Sequence, residues 1–247
     1  DLVPRRDLEL SAGPTAGTFI GAGSEGNPDL EPFESENFDL SLEYYINLGG
    51  VLSLGVFSKD IQNPVYGRTD EQFDVTFEGQ RFSRLSLSRP ENAESGTLRG
   101  FEVNYQQTFD FLPGALAGLG VSANYTRVDS EVEVFGRIDD IPFFRQSDEL
   151  GNLQLFFENE RIEARAAVTY AAPYLEALIR PDFDVYVDER IQVDLRASYR
   201  LTEAVSVSAD IQNVNGSPLR YYVGQPSRRA AEERYGPSAN VTLNVRF

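Results

Sequence analysis

The chain has 247 residues, with 22 Lys plus Arg against 39 Asp plus Glu and a net charge of −17. That balance excludes nucleic acid as a partner, which needs a basic footprint, and excludes a polybasic membrane-surface mode. Cys and His are both absent, which removes disulfides, thiolate chemistry, the usual general base and the commonest metal ligand. No stretch approaches the roughly 20 apolar residues of a transmembrane helix. A membrane reading must therefore be a closed β-barrel, the other structure that satisfies its backbone in lipid.

Nine segments alternate apolar and polar residues at the period that points successive side chains to opposite faces. Residues 1–36 read as an outer loop, and the first strand is predicted over 37–46, with Phe38, Leu40, Leu42, Tyr44 and Ile46 on one side. The turn Asn47-Leu48-Gly49-Gly50 leads into a strand over 51–59, and a long polar link, 60–96, follows. The third strand, 97–109, sets Phe101, Val103 and Tyr105 against Glu102, Asn104 and Gln106. Asp110-Phe111-Leu112-Pro113-Gly114 has turn chemistry and leads to a strand over 119–127. A long link, 128–150, precedes strands over 151–158 and 161–170, joined by a short turn at Asn159-Glu160. The link 171–189 precedes strands over 190–199 and 204–212, and the link 213–238 precedes the last strand, 239–247. That strand carries Ala239, Val241, Leu243, Val245 and Phe247 on one face and Asn240, Thr242, Asn244 and Arg246 on the other.

Alternation alone suits a soluble β-sandwich as well as a membrane barrel. Three features favour the barrel. The links alternate strictly between short and long, as bacterial barrels alternate periplasmic turns with extracellular loops. The polar faces carry charge in mid-strand, Glu163 with Arg165 and Asp194 with Arg196. A water-filled or plugged lumen accepts these, though so does the solvated face of a soluble fold. Aromatics gather at strand ends (Tyr44, Tyr45, Phe109, Phe111, Tyr125, Tyr170, Tyr199, Phe247), where interfacial girdles need them. The fold class is therefore all-β, an antiparallel transmembrane barrel whose C-terminal portion occupies 37–247. Chains of this class end on the periplasmic side, which places the long links outside. An odd count of nine strands, and a start without Met or a signal peptide, make a fragment the expectation.

Several segments then resemble the β-barrel of TonB-dependent outer-membrane receptors, closest to the proteobacterial carbohydrate and siderophore type. They are Gly26-Asn27-Pro28-Asp29-Leu30-Glu31-Pro32-Phe33 with the strand that follows, and Phe57-Ser58-Lys59-Asp60-Ile61-Gln62-Asn63. Gly96-Thr97-Leu98-Arg99-Gly100-Phe101-Glu102 resembles the family's G-x-x-x-G-F-E strand start. Phe111-Leu112-Pro113-Gly114 with Gly118-Leu119-Gly120-Val121 is similar to its periplasmic hairpin, and Gln212-Asn213-Val214 and Phe247 to its last strands. The order and spacing of these motifs is more specific than any one of them, and the match runs from Gly26 onward. The resemblance implies roughly the last nine of about 22 strands and the uptake of a scarce nutrient, a carbohydrate or ferric siderophore, with TonB-coupled energy. The partners it implies are the plug and earlier strands of the same receptor, the TonB-ExbB-ExbD complex, outer-membrane lipid and lipopolysaccharide, and the barrel-assembly machinery. The plug, the TonB box and the earlier strands lie outside these residues.

No catalytic residue, metal or cofactor is expected. Ligand contacts, if carried by the outer links, would fall on Arg145, Tyr186, Arg220, Tyr221, Tyr222 and Arg228, since aromatics stack on sugar faces and Arg grips carboxylate or phosphate bidentately. The plainer reading of the last link is an interfacial aromatic anchor with loop charge. Val241, Leu243, Val245 and Phe247 resemble the assembly signal, and girdle residues would show the same pattern. The acidic groups at Glu31, Glu34 and Glu36, Asp139-Asp140 and Asp148-Glu149 could offer oxygens to calcium, but they match no EF-hand spacing and read as solvated loop charge. Gly21-Ala22-Gly23 and Gly118-Leu119-Gly120 lack the helix that a phosphate loop needs. A passive pore without a plug and a soluble β-sandwich binding module are the competing readings.

Overall fold

The computed structural model describes residues 6–14, 17–46, 49–139 and 141–246. Seventeen strands form among them. Two short strands, β1 (Arg6–Ala12) and β2 (Phe19–Glu25), precede β3 (Glu34–Ile46) and β4 (Gly50–Gln62). A hairpin of β5 (Val65–Phe77) and β6 (Gln80–Asn92) comes next, then β7 (Ser95–Thr108). A short 3-10 helix, Gly114–Gly118, leads to β8 (Leu119–Glu133), and β9 (Glu149–Glu158) and β10 (Ile162–Ala171) follow. The remainder is β11 (Tyr174–Ala177), β12 (Val185–Val187), β13 (Arg190–Arg200), β14 (Val205–Gln212), β15 (Leu219–Val223), β16 (Arg229–Glu233) and β17 (Ser238–Val245).

The nine predicted strands all exist, and they form one continuous antiparallel sheet in the order β17-β14-β13-β10-β9-β8-β7-β4-β3. This is not two packed sheets, which excludes the sandwich. The final strand pairs with β14 as its alternation requires, from Val205 opposite Val245 to Gln212 opposite Ser238. Among the described residues β3 pairs only with β4 and β17 only with β14, so the sheet is an open wall. Phe247 and the turn residues Asn47 and Leu48 lie outside the described residues.

The register lines like residues into rows across the wall. One row runs Tyr44, Leu52, Tyr105, Ala123, Leu153, Val168, Val193. One residue along, on the opposite face, the row reads Glu43, Ser53, Asn104, Asn124, Asn152, Thr169, Gln192. A slip of one residue in any strand would exchange its faces, so the two rows fix the register of all seven strands together. Large apolar side chains on the first face stay exposed, Leu42 at 67% and Val241 at 76%. An apolar surface of that extent, on a sheet that buries little of itself, is the lipid-facing side of a membrane wall.

Two expectations change. The link 60–96 is not an irregular loop: β4 extends to Gln62, and β5 and β6 form a hairpin before β7 begins at Ser95. Likewise 1–36 contains β1 and β2, and β3 starts at Glu34. β2 runs parallel to β6 and gives a second sheet, β1-β2-β6-β5, while the last two long links supply a third, β11-β12-β15-β16. These strands lie beyond the wall, where no lipid face imposes apolar alternation. A few buried apolar anchors, Phe82, Leu85 and Leu175, hold them, among polar cross-strand pairs such as Thr69 with Ser88 at 2.7 Å and Arg84 with Glu71.

Candidate functional site

The polar face of the wall is lined by hydrogen-bonding side chains. Asn152 Nδ2 donates to Asn124 Oδ1 at 2.9 Å across neighbouring strands. Nearer the short-turn end, Arg165 and Glu163 pair at 2.9 Å, and Arg196 lies 3.5 Å from Asp210. Half-exposed pairs of this kind add little stability. Their place on this face shows that it meets water or polar protein, since a charge facing lipid at mid-depth costs roughly 2–4 kcal/mol. Two phenylalanine rings break the pattern: Phe57 and Phe156 lie on the polar face opposite Gly100 and Gly120.

The buried core lies not in the wall but among the long links that cap one end of it. Tyr66, Ala93, Val132, Val134, Ile141 and Leu175 form it, with Phe143, Phe144, Leu178 and Tyr186 packed against them. Tyr66 stacks on Phe144 with ring centroids 5.7 Å apart. The core thus joins the base of the β5–β6 hairpin to the links after β8 and β10.

The family-like motifs acquire a physical meaning at this junction. Asn27 Oδ1 accepts the Asp29 amide at 3.0 Å, which sets the turn at Pro28, and Asn27 Nδ2 donates to the Pro90 carbonyl at 3.0 Å. Asn92 accepts the Glu31 amide at 2.8 Å and donates to the carbonyls of Glu31 and Asn63, both at 2.9 Å. Asn63 takes a left-handed conformation, φ 53°, and donates to Glu31 Oε2 at 3.0 Å. Asn213, also left-handed at φ 54°, ties β14 to the last link by donating to the Ser217 and Tyr235 carbonyls at 3.1 and 2.7 Å. These asparagines satisfy the backbone groups that irregular chain leaves open. Asn92→Ala, which removes three bonds at once, is expected to loosen 26–33 by about 1–3 kcal/mol. Faster protease cleavage confined to that segment is the measurement that checks it.

A second polar centre escaped the sequence reading. Arg137, in the link after β8, is only 11% exposed at its side chain. It donates to Asp139 at 2.8 and 2.6 Å and to Asp184 at 3.2 and 2.7 Å. Hydrogen bonds to Asp139 and then Asp184 raise the guanidinium pKa, and the Arg137 bond holds the Asp139 carboxyl below the usual range. At the hairpin base, burial works against the Glu91 carboxylate, but bonds from Arg89 and Arg68 outweigh it and lower its pKa.

The predicted ligand residues all fall in the capping links, and each has a partner there or a place in the third sheet. Tyr186 and Tyr222 face each other on β12 and β15, with rings stacked at 5.2 Å and 7°. Burial pushes both hydroxyls up in pKa. Tyr221 lies on the other face of the same sheet, opposite Val187 and Ala231. Arg145 is 73% exposed yet bonds Glu176 Oε1 at 2.6 Å. Arg220 bonds Glu232 at 3.0 Å, and Arg228 donates to the Asp182 carbonyl at 3.1 Å. Glu232 is held below the ordinary carboxylate range by Arg234 and Arg220. Asp139 is engaged by Arg137, and its neighbour Asp140 lies outside the described residues. Val241, Leu243 and Val245 are exposed on the apolar face of β17.

An open amphipathic wall, apolar outside and polar within, with short turns at one end and folded links at the other, defines part of an outer-membrane barrel. The profile described as "TonB dependent receptor-like, beta-barrel" matches residues 7–214, and the chain belongs to that family, one of transport receptors. No curated protein matches the sequence. Among solved structures, a mutant of the ferric enterobactin receptor PfeA of Pseudomonas aeruginosa with enterobactin bound is similar at TM-score 0.60 and 18% identity, covering 96% of this chain and 35% of that one. The siderophore receptor PirA of Acinetobacter baumannii is similar at TM-score 0.61 and 13% identity, over 98% of this chain and 38% of that one. The pyoverdine receptor FpvA of P. aeruginosa, with pyoverdine bound, gives 0.57 and 15%, over 88% and 30%. The chain thus spans between 30% and 38% of these receptors' length.

Proposed function

We propose that this chain is the C-terminal part of the barrel of a receptor that imports a scarce nutrient, a ferric siderophore or a carbohydrate, with energy coupled through TonB. The observation that carries the reading is the folded cap of long links over a polar wall, on a chain of this receptor family. In this reading the short turns and the C-terminus face the periplasm, and the segment ahead of β3 is one of the outer links. The two bare edges at β3 and β17 pair with the rest of the same receptor, because unsatisfied backbone groups in lipid cost several kcal/mol each. The plug of that receptor fills the polar lumen, and TonB-ExbB-ExbD acts through it. Lipid and lipopolysaccharide cover the apolar face, and the barrel-assembly machinery reads Val241, Leu243, Val245 and Phe247. The links carry the ligand contacts, Arg145, Tyr186, Arg220, Tyr221, Tyr222 and Arg228 among them. Siderophore is favoured over carbohydrate because the similar solved structures are siderophore receptors. The test is uptake of a panel of ⁵⁵Fe-siderophores and radiolabelled oligosaccharides by cells with and without the gene, each with and without TonB. The expected result is one substrate whose uptake needs both. Uptake that persists without TonB would establish the passive pore instead.

A further inference from the structure

We infer that Arg137 is a positioning residue that makes the last three long links one cooperative unit, so that the surface they offer a ligand forms or fails as a whole. This rests on the reading that those links carry the ligand site. Arg137 belongs to the link between β8 and β9. Its guanidinium spans two carboxylates, Asp139 of its own link and Asp184 of the link between β10 and β13, at 2.6 and 2.7 Å through the same Nη2 atom. Asp184 is 6% exposed at its side chain, so the bond is sequestered from water and weakly screened.

Asp184 also organises both neighbours. Its Oδ1 accepts the Ile179 amide at 2.8 Å, closing the turn of its own link. Its carbonyl accepts the Gly224 amide at 2.8 Å, from the link between β14 and β17. Gly224 has φ 69°, and a Cβ there would stand 2.8 Å from the Asp182 carbonyl carbon, so the third link fits the hub only as glycine. Arg228 of that link reaches back to the Asp182 carbonyl at 3.1 Å. Two residues beyond Asp184, Tyr186 stacks on Tyr222. Three links therefore converge on 182–184, and Arg137 neutralises the buried charge at the centre. Without it Asp184 is a buried carboxylate lacking its cation, the kind of loss that unsettles everything the carboxylate holds. Lysine could keep the charge but not the two-sided fork.

The experiment is hydrogen–deuterium exchange, read by mass spectrometry, on the complete receptor in detergent with no ligand added. Arg137→Gln is expected to raise exchange by roughly tenfold or more in 174–187 and in 219–224, two segments outside its own link, while the wall strands stay protected. Arg137→Lys should give an intermediate rise. Asp184→Asn should reproduce the pattern, with the double variant no worse than Arg137→Gln alone. A change confined to 134–141, or full protection in Arg137→Lys, would overturn the inference. If Arg137→Gln fails to assemble, Asp184→Asn answers the same question, because exchange in 219–224 that matches wild type refutes the coupling. No transported substrate enters the measurement, so a failed uptake assay leaves this result standing, and the reverse holds too.

Discussion

Leu195→Arg is expected to destabilise the barrel by roughly 2–4 kcal/mol, whereas Ala167→Arg shifts it by less than about 0.5 kcal/mol. The two positions lie on adjacent strands, within one residue of the same level. Leu195 is opposite Ala166, and Ala167 is opposite Asp194. They differ in the face they occupy. Leu195 sits mid-strand in β13 on the apolar face and is 40% exposed. An arginine there must enter hydrocarbon or snorkel a long way to escape it. At position 167 an arginine would point to the polar face, with Asp194 as its cross-strand partner. The comparison is made on the complete receptor folded into lipid vesicles, from the urea midpoint at which its heat-modifiable band is lost. Equal losses at the two sites would mean that the faces are wrongly assigned. A larger loss at 167 would invert them.

That contrast also explains what could be read from the residues. Lipid on one side and a polar lumen on the other impose alternation on every strand that crosses between them, so each wall strand was visible as a period of two. Its ends were less visible. β8 was expected to stop at 127 and runs to Glu133, because past the lipid the chain can stay paired without staying amphipathic. The same reason hid β5 and β6 altogether. Thr69 opposite Ser88 and Glu71 opposite Ser86 are good hairpin partners, but they leave no apolar stripe. The asparagine motifs were visible as a likeness to a family, while their work, closing backbone bonds between 27, 31, 63 and 92, needs the three-dimensional junction. Arg137 carried no mark at all. One of its carboxylates is 2 residues away and the other 47, and neither periodicity nor composition connects them. The candidate ligand residues lie in the long links, and Arg145, Arg220 and Arg228 are engaged within the chain, which only the folded links could reveal.

Gly100→Ala is expected to cost about 1–3 kcal/mol, the range for overpacking a fitted site, while Gly55→Ala on the same face is nearly neutral. At Gly55 a Cβ would meet Glu102 Cβ at 3.9 Å and the Leu40 carbonyl at 4.0 Å, both ordinary contacts. At Gly100 it would strike the Arg127 carbonyl oxygen and stand 2.5 Å from the Phe57 ring. A ring can turn aside, but the carbonyl belongs to a strand locked to β7 over its whole length, from Ser95 opposite Glu133 to Thr108 opposite Gly120. Relief therefore requires β7 and β8 to separate locally. The double variant Phe57→Ala/Gly100→Ala tells the two obstacles apart. If the ring is the obstacle, removing it restores the folded band to the level of Phe57→Ala alone. The backbone clash predicts no such recovery, and thermal loss of the heat-modifiable band should follow Gly100→Ala in both backgrounds. The physical content of the G-x-x-x-G-F-E motif is then a wall so closely paired at this point that its second glycine has no room for a methyl group.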